Sequence, residues 1–279
     1  MKKPLKEVSR MSKGEEKPKR VVVIADLHCG HEYGLTPPDW WYRDDVQNER
    51  VSEIAHFQRD LWDFYEKSIN SLKPIDILLV NGDCIHGKEE KAGGAELITL
   101  DRHEQVRMAK EAIQLAEAKK VRLLYGTRYH VGKDEDFESI LADLLGGDVA
   151  VHGHDFFNVN GTTIDIKHKI ANSTVPHGRM TALARARLWN VIWNAEQERQ
   201  PKANIFIRSH VHYYGCCGGN NWFAFTTPAL CYNSTYGIRS CEGLVDVGII
   251  SFDFSPEGNY KWRIIKATFP SLKVLPESL

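Results

Sequence analysis

Five short stretches of this 279-residue chain end in side chains that can bind metals or move protons. They are Asp26-Leu27-His28, Asn81-Gly82-Asp83, Gly126-Thr127-Arg128-Tyr129-His130, the lone His168, and Ser209-His210-Val211-His212. Each follows an apolar run that reads as a strand: VVVIA, LLV, LLY, IDIK and NIFIR. In an extended backbone residues i and i+2 point to the same side, so Asp26 with His28, and His210 with His212, are expected to grip one ion per pair. The donors are carboxylate oxygen and imidazole nitrogen without thiolate, which suits manganese, iron, zinc or nickel. Two aspartates and at least four histidines exceed a single tetrahedral site. They suit two cations about 3.5–4 Å apart with one carboxylate, Asp83, between them.

The elements that must position these residues are legible in hydrophobic period. Strands at 21–25, 76–80 and 121–125 alternate with helices at about 47–72, 101–119 and 135–145. The first helix carries Val51, Ile54, Leu61, Phe64, Tyr65 and Leu72 near one face, and the second Val106, Ala109, Ile113 and Ala116. Strands separated by helices imply parallel pairing, and ligands in such sheets bind outside the carboxyl ends of the strands. The second half reads as more mixed. An Asn-Gly turn at 160–161 joins two extended arms across 156–168. A helix at about 179–198 is expected to bury Met180, Leu183, Leu188, Val191, Ile192 and Ala195, and strand-like runs follow at 204–208, 222–226, 245–254 and 260–268. One domain with two packed sheets is expected over 21–279, behind a flexible basic tail at 1–20 that holds eight Lys/Arg against three Glu.

In their order, DLH, NGD, GTRYH, His168 and SHVH resemble the calcineurin-like metallophosphoesterase superfamily, whose pattern is D-x-H, G-D, G-N-H-D/E, a lone His and G-H-x-H. The form GT-x-x-H-x-G is similar to that of phage- and prophage-encoded members. The resemblance spans about residues 21–215 and implies an α/β (α+β) fold: a four-layer αββα sandwich of two mixed β-sheets flanked by helices. It implies that Asp26, His28 and His212 hold one divalent metal and that His168 and His210 hold the other, with Asp83 bridging. His130 falls on the family's histidine that contacts the substrate phosphate and protonates the leaving group. The chain departs from the pattern at Thr127, which stands where the family has a metal-binding Asn, and at Ser209, which replaces a glycine. A Thr127 hydroxyl or carbonyl could still coordinate. The GDxxDRG and RGNHE signatures of Ser/Thr protein phosphatases are absent, since the text here is GDCIHG and GTRYH.

Other residues carry competing readings. His177, in TVPHGR, is the alternative to His168, whose position directly after a strand favours it. His152 and His154 form a decoy HxH, and His31 and His86 are read as residues behind the ligands or on the surface. Trp40, Trp41 and Tyr42 either stack on a nucleobase or cover the core beneath a long loop. Arg128, Tyr129, Trp41 and Arg179 are candidate substrate-binding residues, and Arg185 and Arg187 stud the same helix as Arg179. Cys29 and Cys84 read as small buried hydrophobes.

Bulk properties bound the function. Hydrophobic residues make up 42% and charged residues 26%, with a net charge of −1, so no global positive field gathers nucleic acid, although a local basic groove remains open. No run of 18 apolar residues offers a membrane span. Six cysteines without a CxxC pair, and no apolar leader, point to a reducing cytoplasm, the host's if the chain is phage-encoded. The expected activity is a phosphodiesterase on nucleic acid or nucleotides that uses two divalent ions, manganese first, and a metal-activated hydroxide. A phosphomonoesterase acting on a small phosphate or a polynucleotide end is the alternative, as is a binding scaffold of the same fold without catalysis.

Overall fold

Runs of β-branched and apolar residues with no polar alternation can be satisfied only by burial on both faces. The strands of this chain obey that rule. The computed structural model describes residues 17–90, 93–131, 136–196, 200–233 and 244–269. One sheet contains β1 (Lys19–Ile24), β2 (Ile77–Asn81), β3 (Lys120–Leu124), β4 (Val151–His152), β10 (Gly248–Phe254) and β11 (Tyr260–Lys266). Its order is β11-β10-β1-β2-β3-β4, parallel from β1 to β4 and antiparallel at β10 and β11. The second contains β5 (Asp155–Val159), β6 (Thr162–Ile166), β7 (Ile205–Arg208), β8 (Gly215–Gly219) and β9 (Trp222–Thr226), in the order β5-β6-β7-β9-β8. Here β6, β7 and β9 run parallel and the edges β5 and β8 are antiparallel.

Alternation within each strand builds the layers. Val21, Val23, Leu79, Ile250 and Phe252 of the first sheet pack with Ile164, Ile166, Ile205, Ile207 and Phe225 of the second, all buried. Phe225 and Phe252 meet edge to face at 5.4 Å. The opposite face of the first sheet, with Val22, Ile24, Leu78 and Val80, buries against α1 (Glu49–Leu72), α2 (Arg102–Gln114) and α4 (Phe137–Leu145). Asn48, Asp101 and Asp136 accept from backbone amides in the first turns of these three helices and so define their starts. The outer face of the second sheet carries α5 (Arg179–Glu196), seated by Leu183 on Phe206 and Ala224. The expected four-layer αββα sandwich is therefore the observed one.

Three details differ from the sequence reading, and the Asn-Gly turn agrees with it. The first strand begins at Lys19, inside the expected tail, because Arg20 pairs with Asp253 and donates to the Leu72 carbonyl; residues 1–16 lie outside the described residues. The CCGGNN segment, whose glycines read as a loop, forms the edge strand β8 and its turn, since an edge needs little side chain to pair with β9. Helix α5 does not bury its whole expected stripe: Leu188, Val191 and Ile192 are 56%, 42% and 36% exposed. Its inner face instead includes the polar Asn190, which is tied to the backbone at Pro201 and Ala203. Finally, Asn160 and Gly161 both adopt positive φ, as the expected hairpin turn requires.

The inter-sheet contact yields a stability prediction. Phe252→Ala removes a fully buried ring and is expected to cost about 3–5 kcal/mol, read as a lowered urea midpoint with an unchanged slope.

Candidate metal centre

Each loop that leaves the carboxyl end of β1, β2, β3, β6 or β7 delivers part of one cluster. Backbone hydrogen bonds stitch the loops together: Asp26 N donates to Gly82 O at 3.1 Å, His28 N to Asp83 O at 3.0 Å, and Ser209 N to His168 O at 2.7 Å. Donor atoms of Asp26, His28 and Asp83 lie within 4.8 Å of one another, as do those of Asp83, His168 and His210. Asp83 thus belongs to both groups. His212 Nε2 lies 3.3 Å from Asp26 Oδ1 and 3.3 Å from His28 Nε2.

The backbone that achieves this is not the extended one expected. Asp26, His28, Asp83, His210 and His212 have φ of 52°, 45°, 50°, 72° and 55°, the left-handed region that side chains other than glycine seldom visit. Pairs two residues apart therefore converge through left-handed turns rather than through strand alternation. Such strain collects at functional sites when the surrounding structure holds it. Gly126 is required by close approach, because a Cβ there would overlap the Asp83 carboxylate oxygen.

Two observations test whether these residues fit a cation. His168 Nδ1 lies 2.6 Å from the Asn81 carbonyl oxygen, which can only accept, so Nδ1 carries the proton. The Nε2 lone pair then faces Asp83 Oδ2 at 3.0 Å, and both His168 Nε2 and Asp26 Oδ1 are buried without a hydrogen-bond partner. Two electron pairs that face each other across this distance call for a positive centre between them, a proton on Nε2 or a shared cation. Donors about 2.1 Å from a shared ion sit roughly 3.0 Å apart at right angles and roughly 3.4 Å apart in a tetrahedron, and the separations here match. A backbone carbonyl behind the ligating imidazole is also the usual support of a metal-binding histidine. The set therefore fits divalent cations.

Electrostatics show the same pull of the carboxylates on positive charge, which a proton on His168 meets when no cation is bound. Burial pushes the Asp83 carboxyl up, but His168, His130 and the Thr127 amide outweigh it and hold Asp83 well below the usual carboxylate range. Burial lowers His168, yet Asp83 and Asp26 more than reverse this and raise it to about 9. His28 is pushed well below its ordinary value by burial and by His130, His212 and His86 around it.

The remaining expected residues fall into place unevenly. His130, on the single turn α3 (Arg128–Val131), sets Nδ1 2.7 Å from the His86 carbonyl oxygen and stands edge-on to His28 at 4.5 Å. Its Nε2 is left for chemistry. Arg128 and Tyr129 are exposed beside it, with the Tyr129 ring 4.9 Å from His130. Thr127 donates its amide to Asp83 Oδ1 at 2.6 Å and directs its hydroxyl to the same carboxylate, so it braces Asp83. His177 is exposed in a turn away from the cluster, and His168 is the histidine brought in. Trp41 packs on the first-sheet core and donates its indole N–H to the Thr36 carbonyl, while Trp40 donates to Glu104; both follow the core reading. Arg179 stacks over Tyr213 at 4.4 Å. Cys29 and Cys84 are fully buried, as expected.

His86 reaches His28, Nδ1 to Nδ1, at 3.2 Å, so of its two readings the one behind the ligands holds. Sequence reasoning missed two further neighbours. Cys231 Sγ lies 3.5 Å from His212 Nδ1. Glu138 is fully buried and accepts from the amides of Gly126 at 2.8 Å and Cys84 at 3.5 Å, with burial and then Asp83 raising its carboxyl to about 8. No sequence signal sets it apart, since acids at 134–136 and Asp143 surround it.

No protein-family profile matches the chain, and no curated protein matches it. Among solved structures the chain is similar to an archaeal phosphodiesterase, at 9% identity over 88% of this chain and 99% of that one, with a TM-score of 0.45. It is similar to vacuolar protein sorting 29 from Cryptosporidium parvum, at 11% identity over 91% and 100%, TM-score 0.46. It is also similar to zinc-complexed Vps29 from Entamoeba histolytica, at 12% identity over 88% and 98%, TM-score 0.39. Values of this size say nothing of chemistry, which rests on the residues themselves.

Gly126→Ala would put a Cβ into the Asp83 carboxylate oxygen and the Asp83 backbone nitrogen, so it displaces both the carboxylate and the loop that carries it. The variant is expected to keep its far-ultraviolet circular dichroism and to lose most bound manganese by elemental analysis. Full metal retention would refute the close approach described above.

Proposed function

We propose that the chain is a calcineurin-like metallophosphoesterase that hydrolyses phosphodiesters of nucleic acid or nucleotides. The observation that carries the reading is Asp83: one buried carboxylate common to two donor groups, with the free nitrogen of His130 beside them. Asp26, His28 and His212 would hold one divalent ion, and His168 and His210 the other. Manganese, iron, zinc or nickel suits these donors. When bound, such a pair neutralises charge on the phosphoryl oxygens and lowers the pKa of water, which supplies the nucleophile.

The protein's own residues do the rest. Thr127 and Gly126 fix the Asp83 carboxylate, the Asn81 carbonyl fixes the His168 tautomer, and the His210 amide holds Asp26 Oδ2 at 3.2 Å. The His86 carbonyl orients His130 so that Nε2 can donate a proton to the departing alkoxide. Arg128 and Tyr129, exposed on the same turn, are placed to meet the substrate's phosphate and its organic arm. No side chain is needed as a covalent nucleophile. Among the described residues no helix is long and apolar enough to cross a membrane.

The test is hydrolysis of bis-p-nitrophenyl phosphate against p-nitrophenyl phosphate, with manganese and then EDTA. Faster, EDTA-sensitive cleavage of the diester is expected; a preference for the monoester would make the chain a phosphomonoesterase. Purified protein that neither binds metal nor cleaves either compound would be a scaffold. Asp83→Ala is expected to abolish turnover and release metal. His130→Ala is expected to keep its metal and lose roughly 10²–10⁴-fold in rate; metal loss in that variant would make His130 a ligand.

A further inference from the structure

Beside the metal ligands lies a second knot of ionisable side chains that the proposed chemistry does not use. His31, Glu89 and Glu96 are all buried, and His86 is half-buried among them. His31 Nε2 lies 3.7 Å from Glu89 Oε1 and 3.7 Å from Glu96 Oε2, and His86 Nε2 lies 3.7 Å from Glu89 Oε1. Donor atoms of His31, His86 and Glu89 fall within 4.8 Å of one another, a spacing that suits a third cation. The placement of protons on the rings decides against one.

His28 turns Nε2 toward the cluster, 3.3 Å from His212 Nε2, and this leaves its Nδ1 for His86 Nδ1 at 3.2 Å. Two lone pairs cannot hold that contact, so one of the nitrogens carries a proton. A His28 whose Nε2 lone pair faces a metal has its proton on Nδ1 and donates it, and His86 Nδ1 accepts. The neutral His86 ring then carries its own proton on Nε2, toward Glu89. His31 repeats the pattern: its Nδ1 accepts from the Tyr33 amide at 3.0 Å, so its proton sits on Nε2, toward Glu89 and Glu96. Both Nε2 atoms present N–H rather than a lone pair, and neither can ligate an ion. At 3.7 Å the carboxylate acts on them through charge rather than a close hydrogen bond, and burial leaves that charge little screened.

We propose that Glu89, acting through His86, is a positioning residue for the metal ligand His28. Its carboxylate holds the His86 tautomer with the proton on Nε2, and His86 Nδ1 in turn holds His28 with its Nε2 lone pair toward the ion shared with Asp26 and His212. The proposal rests on the metal-centre reading and goes beyond it. A single carbonyl, that of Asn81, backs His168, whereas an imidazole and a carboxylate in series back His28. Negative charge at the end of such a chain raises the electron density that the ligand offers to its metal. The loop is built to keep Glu89 there. Gly87, between His86 and Glu89, donates its amide to the fully buried Gln105 at 2.8 Å and accepts from the same side chain at 2.9 Å. Glu89 itself is held at a φ of 51°, with its second oxygen 3.3 Å from the Glu96 amide.

The test uses readouts that need no turnover. In the zinc-loaded protein, long-range proton–nitrogen NMR of the imidazole rings is expected to show His28 protonated at Nδ1 and His86 at Nε2. A His86 protonated at Nδ1 alone would overturn the proposal. Titration with manganese chloride, with free ion followed by electron paramagnetic resonance, counts the bound ions and gives their affinities. Glu89→Gln keeps the shape of the side chain and removes its charge; it is expected to weaken one of two ions about 10–100-fold and to leave the other unchanged. His86→Phe keeps a ring, and the backbone carbonyl that orients His130, while removing both nitrogens. It is expected to weaken the same ion, and adding Glu89→Gln to it is expected to change little further, because Glu89 acts through His86. Circular dichroism checks the fold of each variant. Wild-type affinities in Glu89→Gln, or full additivity of the two changes, would overturn the proposal. So would a third bound ion that Glu89→Gln releases, which would make His31, His86 and Glu89 ligands. A wild type that takes up no manganese would instead overturn the metal-centre reading on which the proposal rests.

Discussion

Two carboxylates buried at 0% and 1% exposure, Asp26 and Asp83, set the terms for the rest of this protein. Charge removed from water is costly unless it is paired and hydrogen-bonded. Here the compensation comes from every side at once. Imidazoles close in from three loops, the amides of Thr127 and His210 donate directly, and the Asp26 Oδ1 and His168 Nε2 atoms, buried without a hydrogen-bond partner, draw positive charge to the site. Stability and the proposed function share this cluster, because what would neutralise the carboxylates is also what would act on a phosphoester.

Holding the cluster requires backbone that the chain would not adopt alone. Five of its members sit at positive φ, and each left-handed residue other than glycine costs on the order of 1–3 kcal/mol. Those conformations persist because the strands beneath them are anchored. The inter-sheet layer of Ile, Val and Phe side chains is dry and closely packed, and the loops begin directly where its strands end. Hydrogen bonds between loops then fix each strained residue against its neighbour rather than against solvent. Glu138 belongs to this bracing: its carboxyl spans the amides of Gly126 and Cys84, tying the third loop to the second from behind.

The two outer layers serve different ends. Helices α1, α2 and α4 bury long apolar faces on the first sheet, and their contribution is support. Helix α5 covers the second sheet more thinly, through Leu183 and a few small residues, and leaves Arg185, Leu188 and Trp189 exposed.

Much of this was written in the sequence. Apolar runs and helical periods located the strands and helices, because burial on a sheet or against one is a local pattern of side chains. Asp and His at five successive strand ends marked the cluster, since parallel strands present their carboxyl ends together. Tertiary structure decided what depends on partners distant in the chain. The left-handed turns at Asp26 and His210 follow from contacts between loops, and no local propensity announces them. Glu138 and His86 joined the site only when α4 and the β2 loop were packed against Asp83 and His28, and a lone Glu or His in sequence carries no sign of such neighbours. The inner and outer faces of α5 were likewise ambiguous, because its apolar residues encircle more of the helix than one sheet can cover, and only the packed sheet selects which of them water keeps.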